Sequence, residues 1–228
     1  MENNIRMADW AVAICTFLLA IIAIFQDKIR SWIWSPSLEC EIKLATPDCH
    51  RTISRSEGHE FTSYYYRFKI LNKGNVSAKN VEVLVFDILR KKGDKFNRIE
   101  SFSPDNLKWS ALFDIVNRPK RYCDYISPDT YKHCNLGHIY DPNYRHLFPG
   151  EDNPALPIEK GETIFCFDVH FMSNNLYYLV GPGEYKIKIK AGCNNAKTIT
   201  QEYLLKLTGK WFEDEHRMLN EGLLIKKI

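Results

Sequence analysis

The segment Glu162–Phe171, with the sequence ETIFCFDVHF, decides the fold because apolar and polar side chains alternate along it. Successive side chains of a β-strand point to opposite faces, so this pattern predicts one strand with two distinct faces. We assign the face with Phe165 and Phe167 to the core and expect the face with Asp168 and His170 to meet solvent. The strand period therefore sets the expected fold class.

Similar segments lie on both sides of this strand. Gly183–Lys190 follows a turn at Pro182 and directs its lysines outward, and Tyr64–Ile70 is rich in the aromatic residues that strands favour. His50–Thr62 has no period and is predicted to be a loop. In total we expect about seven to nine strands, the number of a two-sheet antiparallel sandwich: Leu38–Leu44, Tyr64–Ile70, Val81–Phe86, Ile99–Phe102, Leu107–Trp109, Glu162–Phe171, Gly183–Lys190 and Thr198–Leu207.

Asn72–Asn75 supplies a turn between two of these strands, and Val81, Val83 and Val85 alternate after it. This arrangement of Asn-x-Gly-Asn, Ala-x-Asn-Val and an alternating strand resembles bacterial immunoglobulin-like domains of the CARDB type. The resemblance implies an antiparallel immunoglobulin-like β-sandwich and leaves the function open. The whole chain also resembles bacterial membrane-anchored proteins with one N-terminal helix and an Ig-like domain.

A single apolar stretch, Trp10–Phe25, precedes the strands. It is slightly shorter than the about 20 residues that cross a bilayer core, but flanking cations can extend toward the headgroups and tryptophans suit that layer. We therefore predict one transmembrane α-helix within residues 1–34. The residues expected to contact lipid are Trp10, Phe17, Phe25, Lys28, Arg30, Trp32 and Trp34.

Three alternatives to a membrane anchor are less well supported by the sequence. A cleaved signal peptide would need a small-residue cleavage site before Pro36, and none is present. An interfacial helix would need a polar face, whereas Ala11–Phe25 contains only Cys15 and Thr16 as polar residues. A buried core helix is the third alternative.

Orientation rests on the charges that flank the apolar stretch. Lys28 and Arg30 follow it and Arg6 precedes it, which favours a cytoplasmic C-terminal domain at the bacterial inner membrane. Six cysteines outside the stretch could form three disulfides in an oxidising compartment. Cys40 and Cys166, however, lie in strands as buried free thiols do, which favours the reducing side.

The least regular part of the predicted sandwich, which spans residues 35–228, is an insert at about 112–160. Long irregular loops on a rigid scaffold carry recognition, and tyrosine offers apolar contact with a polar tip. We therefore predict that a protein partner or small ligand binds here, with contact residues Tyr122, Tyr125, Tyr131, His133, Tyr140 and Tyr144.

The same insert contains residue types that bind zinc: Cys123, Cys134, His138 and His146. Their spacing lacks a C-x-x-C pair, so ordinary packing is the favoured interpretation, and we predict no cofactor. Nucleotide-binding, hydrolase and metalloprotease motifs are also missing, which argues against an enzyme.

Two further features of the sequence are the C-terminal segment and the balance of charge. Period-3.6 spacing of Trp211, Glu215 and Met218 predicts a C-terminal helix at about 210–221, either packed on the sandwich or binding a partner. The net charge is only +3 and the longest basic run is Arg90–Lys92, so we expect no nucleic-acid binding.

The sequence thus predicts a non-enzymatic, single-pass membrane protein whose Ig-like domain binds a partner or ligand beside the bilayer. One alternative is a membrane effector or sensor of a phage-defence or stress system, with homo-oligomers formed through Ala13, Ala20 and Ala23 of the helix. A second alternative is a metal-dependent enzyme that uses the Cys/His-rich insert.

Overall fold

The computed structural model describes the backbone of residues 2–100, 102–148, 150 and 158–228, and within the first helix it describes the side chains of residues 10–26 and 28. Helix α1 spans Glu2–Ile33. The strands are β1 (Leu38–Glu41), β2 (Cys49–Ser56), β3 (His59–Asn72), β4 (Ala78–Lys92), β5 (Lys95–Arg98), β6 (Asp105–Asn106), β7 (Cys123–Ile126), β8 (Tyr131–Tyr140), β9 (Phe165–Phe167), β10 (Leu179–Val180), β11 (Gly183–Cys193), β12 (Ala196–Leu207) and β13 (Leu223–Lys227). Short helical segments are the 3₁₀-helix Pro142–Leu147, α2 (Glu215–Arg217) and the π-helix Met218–Gly222.

Two antiparallel sheets form the fold, as the alternating segments predict. The first has the order β1-β3-β8-β9-β10, with β2 also paired to β3, and the second has the order β13-β12-β11-β4-β5, with β6 and β7 also paired to β4. The predicted strands at Tyr64–Ile70, Val81–Phe86, Gly183–Lys190 and Thr198–Leu207 are confirmed, within β3, β4, β11 and β12.

The core lies between the inner faces of the two sheets. Val81, Val83 and Val85 are fully buried, which confirms the alternation that follows the Asn72–Asn75 turn. Across the interface, the ring of Phe68 in β3 lies 4.9 Å from the ring of Tyr203 in β12. The Tyr203 hydroxyl donates to the Cys40 carbonyl at 2.7 Å, so this buried polar group is satisfied.

The segment Glu162–Phe171 differs from its prediction. Only Phe165–Phe167 forms a strand, and every residue from Thr163 to Val169 is buried. Asp168 is 6% exposed, so the expectation that it meets solvent is wrong, whereas Phe171, assigned to the core, is 68% exposed. The outer face of this sheet is covered by other side chains, and alternation alone cannot distinguish a covered face from a solvated one.

Other boundaries also differ. The predicted loop His50–Thr62 is instead a hairpin of β2 and β3. Strand β2 is an exposed edge strand with polar side chains, so its sequence shows no apolar alternation. The described residues of the predicted strands Ile99–Phe102 and Leu107–Trp109 lie outside the strands of the sheets; Leu107 and Trp109 form isolated bridges. The predicted C-terminal helix begins at Glu215, and the chain then adds β13, which the sequence analysis missed.

The segment predicted to be irregular, 112–160, contains β7, β8 and the 3₁₀-helix among its described residues. Strand β8 lies in the middle of the first sheet, between β3 and β9. Gly137 is required there, because a Cβ at this position would lie 2.2 Å from the Cys166 carbonyl oxygen. This glycine and the register shift between Tyr66 and Arg67 opposite it interrupt the alternation that would identify a strand.

Candidate functional site

The connection between α1 and the first sheet is a short segment that is packed on the sandwich. Pro36 is buried, and the Lys73 N–H donates to the Ser37 carbonyl at 2.7 Å. The linker also passes directly over Gly74, where a Cβ would lie 2.2 Å from the Ser35 carbonyl oxygen. The linker therefore has a defined path along the turn that follows β3.

Asn72 is the centre of this junction and is 1% exposed. Its Oδ1 accepts hydrogen bonds from the N–H groups of Ser37 at 3.1 Å and Gly74 at 3.0 Å. Its Nδ2 donates to the carbonyls of Val76 at 2.7 Å and Ile126 at 3.0 Å. One buried amide thus joins the linker, the turn and the end of β7, with all four of its hydrogen-bonding positions used.

Helix α1 exposes an apolar surface. Every described side chain from Trp10 to Gln26 is exposed, including Trp10 at 71% and Phe17 at 66%. The Thr16 hydroxyl donates to the Val12 carbonyl at 2.8 Å, so this polar group is satisfied within the helix. Of the other predicted lipid contacts, Phe25, Lys28 and Trp34 are exposed, and the side chains of Arg30 and Trp32 lie outside the described residues.

Within the described part of the chain, no helix is both long enough and apolar enough to cross a membrane.

Residues Leu112–Lys120 form a hairpin between β6 and β7. The Lys120 N–H donates to the Leu112 carbonyl at 2.9 Å and the Asp114 N–H donates to the Arg118 carbonyl at 2.8 Å. A cavity of about 620 Å³ lies at its base, lined by the four cations Lys108, Arg118, Lys120 and Arg121 and the two carboxylates of Asp114 and Asp124. The lining of this cavity carries an excess of positive charge.

A second cavity, of about 860 Å³, opens where β4 and β5 approach β10. Arg90, Lys92 and Arg98 line it together with the carboxylate of Glu100 and apolar side chains such as Leu179. Arg98 is paired with Asp87 at 2.9 Å, whereas Arg90 donates to the Pro182 carbonyl at 3.3 Å. Three cations and one carboxylate line this cavity, so its lining, like that of the first cavity, carries an excess of positive charge.

The predicted partner-contact residues do not share one surface. Tyr122 and Tyr125 are exposed on and beside β7, and Tyr131 is exposed at the start of β8, with its ring 5.3 Å from that of His133. Tyr140 and Tyr144 instead pack with Phe61, at ring distances of 5.5 and 5.3 Å. The structure thus divides these residues between an exposed group and an aromatic cluster on the outer face of the first sheet.

Under that aromatic cluster lies a polar pair that sequence reasoning missed. His138 Nδ1 donates to Asp168 Oδ1 at 3.0 Å, and both residues are buried. Burial lowers the pKa of His138, but the neighbouring Cys166 and Asp168 outweigh it and hold that pKa well above its ordinary value. Neither of the two cavities described above is lined by His138, Cys166 or Asp168.

The four residues of zinc-binding type in the insert are dispersed. Cys123 lies in β7 with its thiol donating to the Tyr125 carbonyl, Cys134 and His138 are buried in β8, and His146 is exposed in the 3₁₀-helix. Among the residues that the structure describes, no three histidine, cysteine or acidic side chains are placed to hold a metal ion.

The class of this protein is defined by its fold alone: it is an antiparallel two-sheet β-protein with an exposed apolar N-terminal helix. No protein-family model, curated protein or solved structure matches this chain.

Proposed function

We propose that this protein is a non-enzymatic, single-pass membrane protein whose β-sandwich binds a partner or ligand next to the bilayer. The observation that carries this proposal is the exposure of every described side chain from Trp10 to Gln26 on a helix that is apolar on all sides. Such a surface is unfavourable in water and favourable in lipid. The internal hydrogen bond of Thr16 supports the same environment.

The backbone of α1 is long enough to cross a bilayer, and its apolar part is slightly shorter than the bilayer core. At 1.5 Å per residue, Trp10–Gln26 is about 26 Å long and the whole helix Glu2–Ile33 is about 48 Å long. The hydrocarbon core is about 30 Å thick, so the helical backbone extends beyond it. Trp10 and Trp34, both exposed, would then lie near the two headgroup layers.

The junction at Asn72 supports a function close to the lipid surface. The linker between Ile33 and Leu38 is packed on the sandwich through Ser37 and Pro36. A domain held in this way stays beside the bilayer and is restricted in how it rotates about the helix. We propose that this positions its basic surfaces toward partners at the membrane.

We assign the sandwich to the cytoplasmic side. Lys28 and Arg30 follow the apolar stretch, which is the arrangement typical of cytoplasmic flanks. Five of the cysteines are buried as free thiols, and burial raises the pKa of Cys40 and Cys49 to about 12. Free buried thiols suit a reducing compartment.

For the bound partner, we propose a negatively charged molecule or surface. The two cavities described above are lined by more cations than carboxylates, whereas a third, of about 510 Å³, is lined by Glu82 and by no Lys or Arg. The relation to CARDB-type domains, self-association through α1 and the effector or sensor role stay predictions from the sequence.

Alkaline carbonate extraction of membranes from a bacterial expression host tests the anchor. We expect the full-length protein to stay in the membrane pellet and the variant Leu18→Arg to move to the supernatant, because a charge at the centre of a span costs about 3 kcal/mol. The matched control is Ile53→Arg, since Ile53 is a similarly exposed side chain on β2 at 63%. Extraction of the unmodified protein would overturn the proposal.

A further inference from the structure

The hairpin Leu112–Lys120 presents an apolar tip. Phe113 is 51% exposed, Ile115 is 103% exposed and Val116 is 61% exposed. The tip is ordered by its own hydrogen bonds, since the carboxylate of Asp114 accepts from the N–H groups of Val116 at 3.0 Å and Arg118 at 2.8 Å. A defined turn thus holds three large apolar side chains that are at least half exposed to solvent.

A second apolar turn adjoins the base of this hairpin. His170 Nε2 donates to the Lys120 carbonyl at 3.0 Å, and the next two residues, Phe171 and Met172, are 68% and 51% exposed. The base of the hairpin thus contacts the turn that carries these two exposed apolar side chains.

The cations at the base complement a negatively charged surface. Asp114 pairs with Arg118 at 2.9 Å and Asp124 pairs with Lys120 at 2.7 Å, which leaves Lys108 and Arg121 of the cavity lining in excess. When the Asn106 amide is oriented to satisfy both its atoms, its oxygen accepts from Arg121 Nη2 at 2.8 Å. Arg121 is therefore held in place at the cavity.

The hairpin is also close to the membrane junction along the chain. Asn72 Nδ2 donates to the carbonyl of Ile126, six residues after Lys120, and Asn72 Oδ1 accepts from the linker at Ser37. An extended chain covers at most about 3.6 Å per residue, so the base of the hairpin lies within about 22 Å of Ile126.

We propose that this hairpin is a second membrane contact, in which Phe113, Ile115 and Val116 enter the boundary between headgroups and acyl chains and the neighbouring cations bind anionic lipid phosphates. Apolar side chains flanked by cations are typical of surfaces that bind anionic bilayers. The contact rests on the proposed anchor, because α1 makes it intramolecular and raises the effective concentration of lipid around the hairpin. A lipid surface, rather than a protein, is therefore the occupant that is always present.

Spin-label accessibility in the full-length protein tests this contact. The protein is placed at one copy per nanodisc, with phosphatidylcholine alone or mixed with phosphatidylglycerol, in a Cys15→Ala/Cys193→Ala background. Labels at Ile115→Cys, Leu18→Cys and Glu57→Cys report the hairpin, the anchor and a control turn between β2 and β3, respectively. Each label is exposed to oxygen, which concentrates in lipid, and to a water-soluble nickel chelate.

We expect the label at position 115 to lose most of its collisions with the nickel chelate in discs that contain phosphatidylglycerol, and to regain them when Lys108 and Arg121 are both replaced by Gln. The label at position 57 should stay fully accessible.

Full nickel accessibility at position 115 while position 18 is protected would overturn the hairpin contact and leave the anchor intact. Nickel accessibility at position 18 would instead overturn the proposed function. Protection at position 115 that arises in detergent and increases with protein concentration would indicate a second copy of the chain and would also overturn the lipid contact.

Discussion

The side-chain Oδ1 of Asn72 accepts a hydrogen bond from the backbone N–H of Ser37 at 3.1 Å, and this contact connects the end of β3 to the linker that follows α1. A side chain 1% exposed therefore defines where the helix joins the sandwich. The consequence is that the stability of the domain and the path of the linker depend on the same residue.

Replacing Asn72 by Ala is expected to destabilise the domain by about 3 kcal/mol, because the carbonyls of Val76 and Ile126 and the N–H of Ser37 lose their partner while buried or half-buried. Urea unfolding of the full-length protein in detergent, followed by the fluorescence of tryptophans such as the buried Trp109, measures the change. The control Asn194→Ala, at an exposed turn residue, should change the unfolding free energy by less than about 0.5 kcal/mol. Equal effects of the two substitutions would contradict the role of Asn72.

Gly74→Ala tests whether the linker lies on the turn. A Cβ at Gly74 would meet the backbone of Ser35 at 2.2 Å and of Pro36 at 2.6 Å, so the linker must leave its position. We expect faster proteolysis between Trp34 and Ser37 with limited unfolding of the sandwich. Gly58→Ala is the matched control, because a Cβ added at Gly58 would meet no atom within 4 Å. An alanine at the positive φ of +82° should lower the free energy of unfolding by about 1 kcal/mol and leave the linker in place. Unchanged proteolysis in Gly74→Ala would show that the linker does not lie there.

His138 predicts a pH dependence of stability. Because the pKa of His138 is raised in the folded state, its contribution to stability is complete below the unfolded value of about 6.5 and decreases as the pH rises through the higher folded value. Urea unfolding at pH values across this window should show a loss of stability in the unmodified protein that is missing in the double variant His138→Gln/Asp168→Asn. The double variant avoids leaving the Asp168 carboxylate buried without its charged partner. A pH dependence that is the same in both proteins would refute this assignment.

Much of the fold could be predicted from local patterns, and the exceptions have physical causes. The valines of β4 and the lysines of β11 alternate because one side of each strand is buried and the other is partly exposed. Strand β8 was not recognised, because Gly137 and the register shift opposite it interrupt the alternation of apolar and polar side chains. The covered outer face of the first sheet is a tertiary property, so the burial of Asp168 with His138 could not follow from spacing.

The junction and the hairpin were only partly foreseeable. The turn at Asn72–Asn75 could be predicted from its Asn and Gly residues, but the contact of Asn72 with Ser37 joins positions 35 residues apart in sequence. The region of the hairpin was predicted to be irregular and to carry recognition. Its exposed residues Phe113, Ile115 and Val116 resemble ordinary core residues in sequence, and only the exposure of their side chains distinguishes them.

The most direct test of the membrane anchor uses the thiol of Cys15, which is exposed on α1 and lies in the middle of the apolar stretch. In native membranes, with Cys193 replaced by Ala, a charged maleimide should not modify Cys15 but should modify an introduced Ser37→Cys, because the reagent needs water and a thiolate. In intact spheroplasts, by contrast, a reagent added outside the cell should not modify Ser37→Cys, because the sandwich is proposed to lie in the cytoplasm. Rapid modification of Cys15 in native membranes would contradict the anchor, and modification of Ser37→Cys from outside would contradict the cytoplasmic placement of the sandwich.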